Sequence, residues 1–118
     1  MKRILVAEDN DSNYMLMNYI LKKDYEFFRA KNGQEAVEKA LAEKPDLVLM
    51  DIKMPVMDGL EATRAIKAQA PDLPIIALTA NAFDSDRVVA REAGCDDFLS
   101  KPVNAALCLQ TIKKHIGV

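Results

Sequence analysis

"VLMDIKMPVMDG", residues 48–59, is an apolar run that stops on a carboxylate, Asp51, with Pro55 and Gly59 close behind. An apolar run without alternation is how a strand covered on both faces reads, and Pro and Gly mark the loop that ends it. The stretch therefore predicts a buried strand that delivers Asp51 to its C-terminal end. Asp58 is placed to cap the helix that follows.

Similar runs recur at regular intervals: "RILVA" (3–7), "YEFFRA" (25–30), "DLVLM" (46–50), "PIIALT" (74–79) and "DFLS" (97–100). Between and after them lie amphipathic stretches that predict helices over about 11–23, 33–43, 58–69, 84–93 and 104–116. Asn32 with Glu35 three residues on, Asp84 and Asn104 supply further N-caps, Asn10 or Asp11 caps the first helix, and Gly94 stands where a C-cap is wanted. Strict βα alternation implies an α/β fold, a doubly wound parallel sheet between two layers of helices, because each parallel crossover needs a helix.

Composition bounds what such a domain does. At 118 residues the chain has the size of one domain. Sixteen Lys and Arg against 18 Asp and Glu leave a net charge of −2, which argues against direct binding of nucleic acid. Charges interrupt the apolar half of the chain everywhere, so no membrane insertion is expected, and "MKRILVAEDN" turns acidic too soon for a secretory signal. A cytoplasmic location follows as the expectation. Cys95, Cys108 and the single histidine, His115, do not make a zinc spacing. Cys108 shares a helix face with Ala105, Leu109, Ile112 and Ile116 and reads as core, while His115 reads as solvated.

In open α/β sheets ligands bind outside the carboxyl ends of the strands. The first strand delivers Glu8 and Asp9 there, the third Asp51, the fourth Thr79, and the fifth Ser100, Lys101 and Pro102. The second offers only Lys31 and Asn32, which read as ordinary loop residues.

"AEDN", "LMDIKMP", "LTAN" and "LSKP" at these strand ends resemble the receiver domain of two-component response regulators, the CheY-like family, from Met1 to about Ile116. The resemblance implies a flavodoxin-like (βα)5 sandwich with strand order 2-1-3-4-5 and a single receiver domain over residues 1–118, with no output domain. "EDNDSN", "MPVMDGLEATRAI", "LTANAF" and "DDFLSKPV" are closest to the receivers of hybrid histidine kinases. A histidine kinase or a histidine phosphotransfer domain is the implied phosphodonor, and the downstream target is not legible.

If strands one and three are neighbours, Glu8, Asp9 and Asp51 crowd together and repel unless a cation sits among them. Oxygen ligands of this kind favour Mg²⁺. By the family's pattern Asp9, Asp51 and the backbone carbonyl of Lys53 bind the metal, with Glu8 acting largely through bound water. Asp51 is then the phospho-acceptor, and Thr79 and Lys101 bring a hydroxyl and an ammonium to the charge on the phosphoryl oxygens. The resemblance further implies a cis Lys101–Pro102 bond, a switch that pairs Thr79 with Phe98, and tuning of the phosphorylated lifetime by Lys53 and Asn81.

On the first helix Leu16, Met17, Ile20 and Leu21 are read as the buried face. Met15 and Tyr19 fall opposite, an apolar pair suited to contact with the donor. Two departures from the family stand out: Asp24 replaces a common glycine after the first helix, where it would have to take the left-handed conformation, and Glu8 lengthens one arm of the acidic pair. An aspartyl phosphatase of the haloacid-dehalogenase type would need a second Asp where Lys53 stands, and a flavodoxin would need a phosphate loop where Glu8, Asp9 and Asp11 stand. The chain is thus expected to be no enzyme beyond phosphoryl transfer to, and hydrolysis from, its own Asp51.

Overall fold

The computed structural model describes residues 1–80 and 84–117. Among them the elements alternate as β1 (Arg3–Ala7), α1 (Asp11–Leu21), β2 (Glu26–Ala30), α2 (Gly33–Glu43), β3 (Leu47–Asp51), α3 (Gly59–Gln69), β4 (Ile75–Thr79), α4 (Asp84–Ala93), β5 (Asp97–Ser100) and α5 (Ala105–Ile116). The strands form one parallel sheet in the order β2-β1-β3-β4-β5. The order reverses between β1 and β3, so their C-terminal ends flank the crevice where such sheets bind ligands.

Each face of the sheet has its own core. Ile4, Val6, Leu47, Leu49, Ile76 and Leu78 face Met17, Ile20 and Leu21 of α1 and Cys108 and Ile112 of α5. On the other face Leu5, Val48, Met50 and Ile75 meet Ala36 and Ala40 of α2, Ala62 and Ile66 of α3, and Ala90 of α4. All five residues of β3 are buried, which accounts for its unbroken apolar run. Burial also pushes the Cys108 thiol up to about 12, so it behaves as a small apolar side chain.

The caps follow the sequence reading with one exception. Asn10, Asn32, Asp58 and Asn104 each accept a backbone N–H three residues on, at 3.0, 2.8, 2.8 and 2.9 Å. Asp84 is instead the first residue of α4 itself. Gly94, at φ +111°, ends α4 with Gly94 N–H donating to Arg91 and Cys95 N–H to Ala90, both at 3.0 Å, the paired bonds of a Schellman motif.

Five expectations are corrected. Helix α1 ends at Leu21, not 23, and Asp24 is not left-handed: its N–H and that of Tyr25 both donate to the Leu21 carbonyl, at 3.1 and 3.0 Å, which closes the helix without an αL residue. Leu16 is 39% exposed, because the face buried against the sheet is the narrower one of Met17, Ile20 and Leu21. His115 is not solvated. The turn of α5 brings its Nε2 to 3.1 Å from Asp97 Oδ2 on β5. Tyr25 precedes β2 instead of opening it, and its buried ring sends the hydroxyl to the Gly117 carbonyl at 3.0 Å.

Candidate functional site

The C-terminal ends of β1, β3, β4 and β5 open into one cleft of about 270 Å³, lined among others by Glu8, Asp9, Asp51, Lys53, Thr79, Ala80 and Lys101. The strand register makes this convergence. Ala7 pairs with Met50, Asp51 with Leu78 and Thr79 with Ser100, so the residues that follow or end each strand lie side by side.

Glu8 and Asp51 are 1% and 4% exposed, whereas Asp9 stands at the surface of the cleft. One carboxylate oxygen from each of the three lies within 4.8 Å of the others. Lys101 reaches between two of them, with Nζ 3.2 Å from Glu8 Oε1 and 3.0 Å from Asp51 Oδ2. Glu8 Oε2 accepts the N–H of Asn10 at 3.3 Å. Its other oxygen, Oε1, is buried with the Lys101 charge nearby but no donor in hydrogen-bonding geometry.

The electrostatics match this crowding. Burial, and then the hydrogen bond and charge of Asp51, push the Glu8 carboxyl up to about 7. Burial pulls the Lys101 ammonium down, but hydrogen bonding and charge from Asp51, and then Glu8, raise it overall. Three carboxylates thus crowd one end of the cleft, and among the described residues Lys101 pairs with two of them. That donor set fits a hard divalent cation with oxygen ligands.

The loop after β3 shapes one wall. Lys53 N–H donates to Asp51 Oδ1 at 3.3 Å, and Gly59 N–H to the Ile52 carbonyl at 2.8 Å. Val56, at φ +70°, sits in a tight turn that Met57 N–H closes onto the Pro55 carbonyl at 2.7 Å, a strained conformation for a β-branched residue. The opposite wall contains the cis Lys101–Pro102 peptide that the resemblance implied, and Lys101 N–H donates to the Thr79 carbonyl at 2.8 Å.

Glu8, Asp9, Asp51, Lys53, Thr79 and Lys101 are therefore brought together. Phe98 lies beside them on β5, half-buried, with the Arg87 guanidinium 4.3 Å from its ring centre. Phe98, Thr79 and Ile52 all line a cavity of about 90 Å³. Met15 and Tyr19 are 68% and 72% exposed on α1. Asn81 lies outside the described residues. The sequence reading missed Arg29, whose guanidinium holds the loop that carries Glu8 and Asp9. An arginine directly after the two phenylalanines of "YEFFRA" was the available signal.

The family model for the response regulator receiver domain matches residues 4–113. The polar-differentiation response regulator DivK of Brucella anthropi is 37% identical over 119 residues, covering 98% of this chain and 97% of its own. Among solved structures, the receiver domain of sensor histidine kinase PA1611 from Pseudomonas aeruginosa PAO1, with magnesium coordinated in its active-site cleft, superposes with a TM-score of 0.92 at 38% identity, covering 99% of this chain and 98% of that one. A chain of the Saccharomyces cerevisiae complex between the histidine phosphotransfer protein Ypd1 and the receiver domain of Ssk1 gives a TM-score of 0.92 at 31% identity, over 98% of this chain and 88% of that one. With the family model over residues 4–113, a relative 37% identical over 98% of the chain, and the sheet order in place, the chain belongs to the response regulator receiver domains, the phospho-accepting signalling switches of two-component systems.

Proposed function

We propose that Asp51 accepts a phosphoryl group from a phosphohistidine donor, with Mg²⁺ held by Glu8, Asp9 and Asp51 and by the backbone carbonyl of Lys53. The observation that carries this reading is the convergence of three carboxylates within 4.8 Å, two of them buried and paired with the Lys101 ammonium. When bound, Mg²⁺ supplies positive charge to the acidic cluster and to the phosphoryl oxygens. An Asp51 oxygen attacks phosphorus while the P–N bond to the donor imidazole breaks, and the leaving nitrogen keeps the electron pair. Lys101, already 3.0 Å from Asp51 Oδ2, is placed to follow the charge onto the phosphoryl group, and Thr79 faces the same cleft. Catalysis is confined to Asp51 itself, in transfer and in hydrolysis. Lys53 tunes the second step from the cleft wall; Asn81 is assigned the same role on sequence alone.

Phe98 is proposed as the reporter of phosphorylation. The cavity lined by Phe98 and Thr79 offers the space into which the ring turns, at the expense of the Arg87 contact. The surface around β4, α4, β5 and α5 then changes for a downstream protein. Donor docking is assigned to Met15 and Tyr19, which are exposed on the helix that begins beside Glu8 and Asp9.

Intact mass after incubation with acetyl phosphate and Mg²⁺ tests the acceptor. Wild type is expected to gain one phosphoryl group, and Asp51→Asn or chelator-treated protein none; a gain by Asp51→Asn would remove Asp51 from the role. With a phosphohistidine domain as donor, Met15→Ala/Tyr19→Ala is expected to slow transfer about tenfold while leaving acetyl phosphate labelling unchanged, since contact residues at an interface centre contribute about 1–2 kcal/mol. Equal transfer rates would end the docking assignment.

A further inference from the structure

Arg29 lies on β2, one residue before the strand ends, and its guanidinium reaches across to the loop after β1. Nε donates to the Glu8 carbonyl at 3.0 Å, Nη2 to the Asp9 carbonyl at 3.3 Å, and Nη1 pairs with Asp11 Oδ1 at 2.9 Å. The guanidinium carbon also lies 4.5 Å from the ring centre of Tyr14 on the first turn of α1, and Tyr14 packs edge-on against Phe27. All three donor directions of one fork are thus committed to the β1–α1 loop and the first residue of α1, and the side chain is left only 17% exposed.

The loop needs such a partner. Glu8 N–H still donates to the Ala30 carbonyl at 3.0 Å, where β2 ends, and beyond that point the Glu8 and Asp9 carbonyls accept from the Arg29 guanidinium. The side chains of those two residues meanwhile point at a third carboxylate and repel it. An unrestrained loop would relieve that repulsion by swinging the exposed Asp9 away. Asp11, a fourth acid at the first position of α1, is tied to Arg29 and stays outside the cluster.

We propose that Arg29 is a positioning residue for the cation site: by binding both backbone carbonyls it holds Glu8 and Asp9 converged on Asp51 before the cation arrives. The inference rests on the functional reading above. It differs in sign from what charge alone dictates. A nearby cationic side chain repels Mg²⁺, so on charge alone its removal would tighten binding; as a clamp, its removal weakens binding.

The test is a titration of the full chain with Mg²⁺ alone, followed by backbone amide shifts, for wild type, Arg29→Lys, Arg29→Met and Asp11→Asn. Arg29→Lys keeps the charge but cannot span both carbonyls, and it is expected to weaken Mg²⁺ about tenfold, within the range for outer partners of metal ligands. Arg29→Met is expected to weaken it at least as much, and Asp11→Asn to change it less than about twofold, because both carbonyl bonds survive. Acetyl phosphate labelling at saturating Mg²⁺ should return to within about twofold of wild type in Arg29→Lys, a split between affinity and maximal rate that general loss of structure does not produce. Tyr14→Leu, which strips the stacking partner and keeps the fork, should fall between wild type and Arg29→Lys and serves if Arg29→Met does not fold. Unchanged affinity in Arg29→Lys, or tighter binding in Arg29→Met, would overturn the assignment. No response to Mg²⁺ in wild type would instead overturn the metal reading beneath it.

Discussion

Glu8 is buried against Asp51, and its carboxyl is pushed up to about 7 from an ordinary value of 4.5, by burial first and by the neighbouring carboxylate second. Across that window the folded chain holds a proton that the unfolded chain has released. Unfolding stability therefore falls as pH rises from about 4.5 through 7, the direction expected when the native state binds more protons. Glu8→Gln removes the titration while keeping the shape. In chelator it is expected to exceed wild type in stability at pH 8 by about 3 kcal/mol, since each tenfold change in proton affinity between the folded and unfolded chain is worth about 1.4 kcal/mol. The advantage should vanish below the ordinary carboxylate range. Urea unfolding at pH 8 and pH 4 checks both, and a constant difference at the two values would contradict the assignment. The same substitution should weaken Mg²⁺, so at this residue stability is traded for a cation site.

The loop after β3 that lines the cleft rests on a helix from the neighbouring βα unit. A Cβ placed on Gly33, the first residue of α2, would lie 2.0 Å from the Met57 carbonyl oxygen. The contact is backbone to backbone, so no side chain can turn aside to relieve it. Gly33→Ala is expected to cost about 1–3 kcal/mol, the range for overpacking a filled site. Because Met57 belongs to the loop that carries Lys53, labelling of Asp51 should also slow. Urea unfolding and the acetyl phosphate rate measure the two effects. A change below about 0.5 kcal/mol, the scatter of neutral surface substitutions, would show that α2 shifts freely against the loop.

Over the whole molecule, the connection between α1 and β2 is tied to the end of α5 through Tyr25. The hydroxyl of this buried residue donates to the Gly117 carbonyl just past α5, 92 residues away in sequence, at 3.0 Å. Helices α1 and α5 cover the same face of the sheet, so this bond closes the layer on which Met15, Tyr19 and the α5 surface lie. Tyr25→Phe is expected to lower stability by about 1 kcal/mol, the net value of one hydrogen bond with its acceptor left near solvent. Hydrogen exchange should accelerate in the last turn of α5 and remain unchanged in β3, because the sheet core opens only with the whole fold. Uniform acceleration would mean that the bond contributes to global stability alone.

Periodicity and punctuation in the sequence were enough for the ten elements, their alternation and most of the caps, because burial pattern and capping chemistry are local properties. Asp51 stands at the end of its apolar run for the same reason, and the motifs at four strand ends carried the site's core of Glu8, Asp9, Asp51, Thr79 and Lys101. What the sequence could not determine is which groups meet across the sheet. His115 pairs with Asp97 because α5 turns back over β5, and Leu16 is exposed because the sheet covers a narrower face of α1 than its pattern suggests. Arg29 reads as a surface charge until β2 is laid beside β1, with Val6 opposite it, and its fork reaches the carbonyls of Glu8 and Asp9. Such contacts depend on register and on side-chain reach between segments distant in sequence, so only the tertiary structure decides them.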